Sequence, residues 1–245
     1  MRYPIFNTYV DALSMTETIE KVEAIIQAQR PVQHVVINAS KINLMQKDRR
    51  LTEIVNSCPI INADGASILW AAKILKIPVR ERVTGIDLFL NLVSKADEKG
   101  YKIFLFGAKE EVVQKVKDIF EKKYKNLQIV GIRNGYFSSG QEMEIAEQIR
   151  RAKPDMLFVA FSSPKKEYWI NKYLEKMEVP FVMGVGGSFD VVAGITDRAP
   201  GWMQRHGLEW FYRFIQEPKR MWKRYIVGNF KFVILTIKAR LKKEY

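Results

Sequence analysis

The feature that most constrains the fold is an alternation of short, continuously apolar runs with longer stretches of helical periodicity. The apolar runs occupy residues 33–38, 59–63, 102–107, 155–161 and 180–185, and a weaker sixth occupies 127–131. Apolar sequence that is continuous rather than alternating is typical of parallel strands covered on both faces. Such runs, joined by crossovers of about ten residues or more, predict an α/β fold with a largely parallel sheet.

Helical periodicity fills the intervals between the runs. Val112, Val116 and Phe120, for instance, recur on one face of a predicted helix. In α/β folds of this kind, ligands bind beyond the carboxyl ends of the strands, so the loops that directly follow the apolar runs should carry the site. The predicted helices span residues 16–29, 66–77, 87–98, 109–124, 141–151 and 166–177.

Composition excludes several classes of protein. Apolar residues make up 47% and charged residues 27% of the 245 residues, which is ordinary for a globular chain. The single cysteine, Cys58, excludes a disulfide scaffold, and two histidines without ligand-like spacing argue against a zinc site. No long apolar segment follows Arg2, so we expect no secretory signal and a cytoplasmic protein.

Two loops after predicted strands have a clear physical meaning. Gly186 and Gly187 form a strand-to-helix turn whose backbone amides can approach an anion, although the glycines can also serve only to close the turn. Asp64 follows a strand and precedes Gly65, which suits a general base facing a cleft. The alternative for Asp64 is an N-cap for the helix predicted at 66–77.

Other charged groups near strand ends are weaker candidates. Lys166 and Glu167 lie in the sequence PKKEYW, where Glu167 would suit a helix N-terminus without any functional role. Arg82 belongs to a basic cluster that can bind phosphate or simply face solvent. We find no carboxylate pair of the DxD kind, and we therefore expect neither a metal nor another cofactor.

The last 43 residues differ in composition from the rest. They carry eleven Lys/Arg and three Glu, so a net +8 of the chain's total of +13 lies there. We therefore divide the chain into a core of residues 1–202 and a basic, aromatic-rich helical appendage of residues 203–245.

Three interpretations agree with the composition of the appendage. Basic residues mixed with aromatic ones suit an interfacial helix on anionic lipid, which we favour. Nucleic-acid binding can use the same composition, and a helix simply packed on the core is the third alternative. Its 13-residue apolar run, 225–237, is interrupted by Lys231 and is too short to cross a bilayer, which takes about 20 residues.

Seven segments together carry a resemblance to a known family, and they occur in order along the chain. The sequence resembles the WecG/TagA/CpsF family of glycosyltransferases over roughly residues 38–225. The segments are ADG at 63–65, RVTGID at 82–87, NGYF at 134–137, SPKKEYW at 163–169, MGVGGSFD at 183–190, RAPGWM at 198–203 and GLEWFYRFIQEPKRMWKRY at 207–225.

The resemblance implies a fold, a reaction and a place of action. It implies a Rossmann-like α/β core and a membrane-contacting C-terminal appendage. It also implies inverting transfer of a sugar, N-acetylmannosamine or a related hexose, from a UDP-sugar to an undecaprenyl-diphosphate-linked saccharide. Such an enzyme would act in cell-wall or surface-polysaccharide synthesis, peripherally on the inner face of the cell membrane.

The resemblance also implies roles for individual residues. Asp64 matches the general base, and Arg213, Arg220 and Arg224 match appendage arginines that meet the lipid diphosphate. Many relatives have Gln where this chain has Lys166, a difference that falls in the sugar pocket that the resemblance implies. The substrate-binding set that follows from the motifs comprises Asn38, Arg82, Tyr136, Lys166, Glu167, Gly186, Gly187 and Asp190.

The chemistry of such a transfer agrees with the residue types. An inverting transfer needs one base for the acceptor hydroxyl and positive groups for the departing UDP. Two rival functions agree less well with the sequence. A nucleic-acid-binding protein would use the basic tail but gives no reason for Asp64, and an oxidoreductase acting on nucleotide sugars would be expected to carry GxGxxG, which is missing.

Overall fold

The computed structural model describes residues 1–222 and 226–242, without the side chains of Arg220 and Met221. Six strands form one sheet, in which every pairing is parallel. The order across it is β4-β3-β8-β7-β5-β6. All six predicted strands are confirmed, with ends that shift by up to two residues. They are β3 (Val32–Ile37), β4 (Ile60–Ala63), β5 (Lys102–Gly107), β6 (Gln128–Arg133), β7 (Met156–Ala160) and β8 (Phe181–Gly184).

Helices connect the strands and cover both faces of the sheet, so the predicted α/β class is confirmed. Each of the six predicted helices is present within two residues of its expected ends. In the described part of the chain the helices are α1 (Met15–Ala28), α2 (Ala39–Met45), α3 (Arg49–Ser57), α4 (Ala66–Leu75), α5 (Gly85–Lys99), α6 (Glu110–Lys123), α7 (Glu142–Ala152), α8 (Lys165–Met177), α9 (Ser188–Val192), α10 (Gly201–Arg205), α11 (Glu209–Gln216), α12 (Pro218–Trp222) and α13 (Gly228–Lys242).

An N-terminal hairpin is a feature that the sequence patterns did not predict. Strands β1 (Arg2–Ile5) and β2 (Thr8–Asp11) pair antiparallel, and each has only four residues, too few for a clear period. The Asp11 carboxylate accepts hydrogen bonds from the Arg2 guanidinium at 2.9 Å and 2.8 Å and from the Ile61 amide at 2.7 Å. These bonds attach the hairpin to β4.

Aromatic packing stabilises the two faces of the sheet. Phe89 of α5 contacts Phe120, Phe158 and Phe189, with ring centroids 4.7–5.7 Å apart. On the opposite face, Phe106 of β5 packs against Trp169 of α8 at 4.8 Å. Burial of apolar side chains on both faces explains why the strands read as continuous apolar runs.

The C-terminal segment is partly integrated into the core. Helix α13 packs against α2 and α4, and its Phe232 is 1% exposed and meets the Phe6 ring edge-on at 5.4 Å. The alternative in which the appendage is a helix packed on the core is therefore correct for one face of α13. The opposite face exposes large apolar side chains, including Phe230, Ile237 and Leu241.

The C-terminal helical segment is interrupted at Pro218. Helix α11 ends at Gln216, and α12 begins at Pro218, whose fixed φ and missing N–H suit the first helical position. Within residues 1–222 and 226–242, no helix combines the length and hydropathy needed to cross a bilayer.

Candidate active site

The site lies beside β3, at the point where later strands of the chain are placed on opposite sides of an earlier one. Strand β3 lies between β4, the next strand in sequence, and β8, the last one. At such a switch point the loops that leave neighbouring strands separate, and a crevice opens beyond the carboxyl ends. Asn38, Asp64 and the Gly186–Gly187 turn follow β3, β4 and β8, so the structure brings these three predicted elements to one crevice.

Asp64 is held at the end of β4 by backbone contacts. Its amide donates a 2.8 Å hydrogen bond to the carbonyl of Ile37 on β3. The N-cap of α4 is Gly65, and no side chain caps that helix. The capping role considered for Asp64 is therefore wrong, and its half-buried carboxylate is not committed to the helix end.

Asn38 has a local role beside Asp64. Its side-chain oxygen accepts a 3.0 Å hydrogen bond from the Lys41 amide and so caps α2. A methyl group placed on Gly65 would lie 3.7 Å from the Asn38 Cβ atom, so the Asn38 and Asp64 loops are in close proximity. The Asn38 amide group thus borders the crevice while fixing the start of α2.

The charges around Asp64 give its carboxyl group a perturbed pKa. Burial is the largest effect and raises that pKa above its usual range. Arg82, Arg213 and Lys166 act in the opposite direction, whereas Glu209 raises the pKa further. A carboxylate with a raised pKa among several cations suits proton abstraction from a hydroxyl group close to an anionic ligand.

A chain of ion pairs joins the core loops to the appendage. The Arg82 guanidinium lies 2.9 Å from a Glu209 carboxylate oxygen, and it also donates a 3.2 Å hydrogen bond to the carbonyl of Gln204. Arg198 lies 2.6 Å from Asp87 and 3.7 Å from Glu209. Three of the sequence motifs, RVTGID, RAPGWM and GLEWFYRF, therefore meet in one electrostatic network.

Gly207 sets how closely the appendage approaches the site. Its φ of +71° is in the left-handed region, and a methyl group there would lie 2.6 Å from the Ala66 Cβ atom. Any other residue would push the start of α11 away from α4. The close contact places Glu209 and Arg213 within electrostatic range of Asp64.

Lys166 and Glu167 lie side by side at the start of α8 and face different surroundings. The Lys166 ammonium donates a 3.2 Å hydrogen bond to the carbonyl of Gly184, at the end of β8. Glu167 is 1% exposed, and its carboxylate accepts from the Lys41 ammonium at 2.6 Å and from the Ser163 hydroxyl at 2.9 Å. Glu167 therefore lies beneath the crevice, where it anchors α8 to α2.

The Gly186–Gly187 turn has the shape expected of a close-approach loop. Gly186 has a φ of +57°, and a methyl group there would lie 3.6 Å from the Lys166 ammonium nitrogen. Gly187 is the N-cap of α9, and Asp190 within α9 is half-buried, its carbonyl accepting from the Ile195 amide at 2.9 Å. The turn and Lys166 thus border the same part of the crevice.

Tyr136 lies away from these residues. It follows β6, four strands from β3 in the sheet, which corresponds to about 19 Å at the usual strand spacing. Its side chain is 70% exposed, and its amide donates to the Asn134 side chain at 2.9 Å. The adjacent Gly135 lies close to Gly107 at the end of β5, so the loop folds back over the edge of the sheet, and the substrate-binding role of Tyr136 stays a prediction.

The three arginines assigned to the lipid diphosphate are described unequally. Arg213 lies on α11, half-buried, and is one of the cations that lower the pKa of Asp64. Arg224 and the side chain of Arg220 fall outside the described residues. Pro218 separates Arg213 from the other two, so a single continuous helical face does not carry all three.

Sequence reasoning missed several residues of the site. Glu209 and Arg198 lie in motifs that were recognised, yet neither was singled out, because a charge in a motif gives no sign of which loop it will pair with. Lys41 was missed since α2 was not predicted. Within the described ranges, no group of three or more His, Cys, Asp or Glu side chains is arranged to hold a metal ion.

Comparison with known proteins decides the family. The family model described as glycosyl transferase WecG/TagA/CpsF matches residues 3–245. The chain belongs to the WecG/TagA/CpsF family. As a member of that family it is a glycosyltransferase, and the family resemblance found in the sequence is confirmed.

Three proteins that are similar to this chain share one description. An N-acetylglucosaminyldiphosphoundecaprenol N-acetyl-beta-D-mannosaminyltransferase from Bacillus subtilis is 33% identical over 237 residues, covering 97% of this chain and 88% of that protein. A protein of the same description from Bacillus spizizenii is 34% identical, covering 71% and 67%. A third, from Staphylococcus aureus strain MW2, is 29% identical, covering 95% and 92%.

Proposed function

We propose that this chain transfers N-acetylmannosamine, or a related hexose, from a UDP-sugar to a saccharide linked to undecaprenyl diphosphate, with inversion at the anomeric carbon. The observation that carries the proposal is the Asp64 carboxylate, which has a raised pKa and lies among Arg82, Arg213 and Lys166 at a parallel-sheet switch point. The description shared by the relatives supports this choice of acceptor and sugar.

Asp64 would act as the general base. It removes the proton from the attacking hydroxyl of the acceptor sugar as that oxygen forms a bond to the anomeric carbon of the donor. The bond from that carbon to the diphosphate oxygen breaks on the opposite face, and UDP leaves with the bonding electron pair. One displacement on an α-linked donor gives a β-linked product, which agrees with the β-linkage named in the relatives.

The departing diphosphate would be stabilised by protein groups. Arg82 and Lys166 supply positive charge, and the Gly186–Gly187 turn offers backbone amides at close range. Arg82 would exchange its contact with Glu209 for the diphosphate when the donor binds. We propose that no metal cofactor takes part, and that Tyr136 contacts the nucleoside end of an extended donor.

The acceptor would approach along the appendage. Arg213 on α11, together with Arg220 and Arg224, would meet the lipid diphosphate, since guanidinium groups bind phosphate oxygens in pairs. Trp210 and Trp222 are 39% and 46% exposed and suit the headgroup layer of a membrane. We propose a peripheral protein on the cytoplasmic face of the cell membrane, with an anionic lipid surface rather than a nucleic acid as partner.

The proposal is tested with a panel of UDP-sugars and a water-soluble, short-chain polyprenyl-diphosphate N-acetylglucosamine acceptor, with products identified by mass. We expect one added N-acetylhexosamine or hexose from one preferred donor, and a β-linkage in the product. No transfer from any UDP-sugar, or a product that retains the α-configuration, would contradict the proposal.

A further inference from the structure

An open groove lies between α2 and α13, outside the crevice that contains Asp64. Its volume is about 630 Å³, which is within the range of roughly 300–1,000 Å³ found for ligand pockets. The described residues that line it come from α2 and from the segment that begins at Val227, and they include Ser40, Asn43, Leu44, Lys47 and Ile234.

The groove begins at the catalytic edge of the sheet. Helix α2 starts at its N-cap Asn38, directly after β3, and Ser40 of the groove is two residues further on. The Asn43 side-chain amide donates a 2.7 Å hydrogen bond to the carbonyl of Gly228 and fixes the start of α13 against α2. The groove therefore leads from the edge where Asn38 and Asp64 lie along the outer side of α2.

The lining chemistry is apolar with a cationic margin. Leu44, Val227 and Ile234 are each 38% exposed, so their apolar surface is accessible within the groove. Lys47, Lys231 and Lys238 contribute positive charge, and no acidic side chain is among the described lining residues. This combination suits a ligand with a long apolar body attached to an anionic head.

We propose that this groove binds the isoprenoid chain of the lipid-linked acceptor, in the segment nearest its diphosphate. The inference rests on the proposed function, because it takes the acceptor to be a polyprenyl diphosphate. The acceptor combines an apolar chain with a diphosphate, which matches the apolar lining and the lysine margin. Continuity with the catalytic edge lets the chain lie in the groove while the linked sugar reaches Asp64.

If the groove binds the isoprenoid chain, the KM of the acceptor should depend on the length of that chain even when no membrane is present. In detergent-free solution, below the concentration at which the acceptors form micelles, we expect the acceptor KM to fall about tenfold or more between one and four isoprene units, because each unit buries further apolar surface. Longer chains should add little once the groove is filled. A KM independent of chain length in this range would overturn the proposal.

Matched variants on α13 test whether the dependence of KM on chain length arises in the groove. Ile234→Glu places a charge in the groove, whereas Ile237→Glu makes the same change at an exposed position of the same helix that does not line it. We expect Ile234→Glu, and Leu44→Glu on α2, to raise the KM of the four-unit acceptor at least about fivefold and to leave that of the one-unit acceptor unchanged. Ile237→Glu should behave as the wild type.

The outcomes separate failure of the groove from failure of the proposed function. Equal effects of Ile234→Glu and Ile237→Glu in solution would overturn the groove, even if the enzyme transfers sugar to every acceptor. If no acceptor is used, the proposed function fails, and calorimetric titration with polyprenyl diphosphates that lack the sugar tests the groove by itself. Binding that tightens with chain length in the wild type but not in Ile234→Glu would support it, and length-independent binding would overturn it. A variant is accepted as folded when its thermal unfolding midpoint lies within about two degrees of that of the wild type.

Discussion

The Glu209 carboxylate lies 2.9 Å from the Arg82 guanidinium and 3.7 Å from that of Arg198, so the first residue of α11 is bound to two loops of the core. Arg82 and Glu209 are both about one fifth exposed, which limits solvent screening of the pair. The pair also acts on Asp64, because Arg82 lowers and Glu209 raises the pKa of its carboxyl group. The appendage is thus electrostatically coupled to the proposed base.

This coupling predicts opposite shifts in the pH dependence of transfer. Asp64 must be deprotonated to act, so kcat/KM should fall as the pH drops through its raised pKa. Glu209→Gln removes a group that raises this pKa, and the acid limb should move to lower pH. Arg82→Gln removes a group that lowers it, and the limb should move to higher pH. Profiles of kcat/KM against pH for the three proteins check this, and shifts in the same direction would contradict it.

Asp64→Asn should remove most of the transfer activity while the fold is retained. The amide keeps the shape of the side chain but is not a base, and general-base catalysis contributes about 10²–10⁴-fold to rate. No helix cap is lost, because Gly65 is the N-cap of α4. We expect UDP binding by calorimetry to stay within a few-fold of wild type.

Asp118→Asn is the matched control for that variant. It makes the same chemical change at an exposed position of α6 that is not among the assigned site residues. It should retain full activity. Near-normal turnover in Asp64→Asn would show that another group is the base.

The buried pair of Lys41 and Glu167 should matter chiefly for stability. Both side chains are less than 5% exposed and their atoms approach to 2.6 Å, so Lys41→Met removes the nearest cation from a buried carboxylate, which keeps only the Ser163 hydroxyl at 2.9 Å and the Lys166 ammonium at 4.0 Å. Such a loss costs about 3–5 kcal/mol of unfolding free energy. The double variant Lys41→Met, Glu167→Leu should recover part of it, because neither charge is then left buried. Denaturant unfolding measures both, and Arg49→Ala in an exposed pair with Glu53 should leave the midpoint unchanged.

Arg213→Gln should weaken acceptor use more than donor binding. Arg213 is half-buried on α11 and lies within electrostatic range of Asp64, where a lipid diphosphate would approach. We expect the acceptor KM to rise about tenfold or more, the loss typical of one charge-assisted hydrogen bond, and the donor Kd to change little. Lys219→Gln, an exposed cation on α12, is the control. A larger effect on donor binding than on acceptor KM would place Arg213 in the donor site instead.

Transfer should survive removal of divalent metal ions. Arg82, Lys166 and the Gly186–Gly187 turn are proposed to stabilise the departing UDP, so activity after dialysis against EDTA should equal that of the untreated enzyme. Loss of activity that Mg²⁺ or Mn²⁺ restores would show that a metal ion takes part.

The sequence by itself determined the local elements and the edge of the sheet at which the site lies. Continuous apolar runs can be buried on both faces only in a covered parallel sheet, and the carboxyl ends of parallel strands share one edge. Asn38, Asp64 and Gly186 could therefore be assigned to one edge from their positions after those runs. Pro218 likewise fixed the break between α11 and α12, because it cannot continue the hydrogen bonding of the preceding helix.

Only the tertiary structure decided which of these groups are neighbours. Strand order depends on how the crossovers pack, and no local pattern encodes it, so the sequence did not show that Tyr136 lies four strands from β3. The same reason hid the contact of Glu209 with Arg82 and the packing of α13 on α2, both of which join residues more than 120 positions apart. Long-range contacts are set by the complementarity of surfaces that exist only after the helices and sheet have formed.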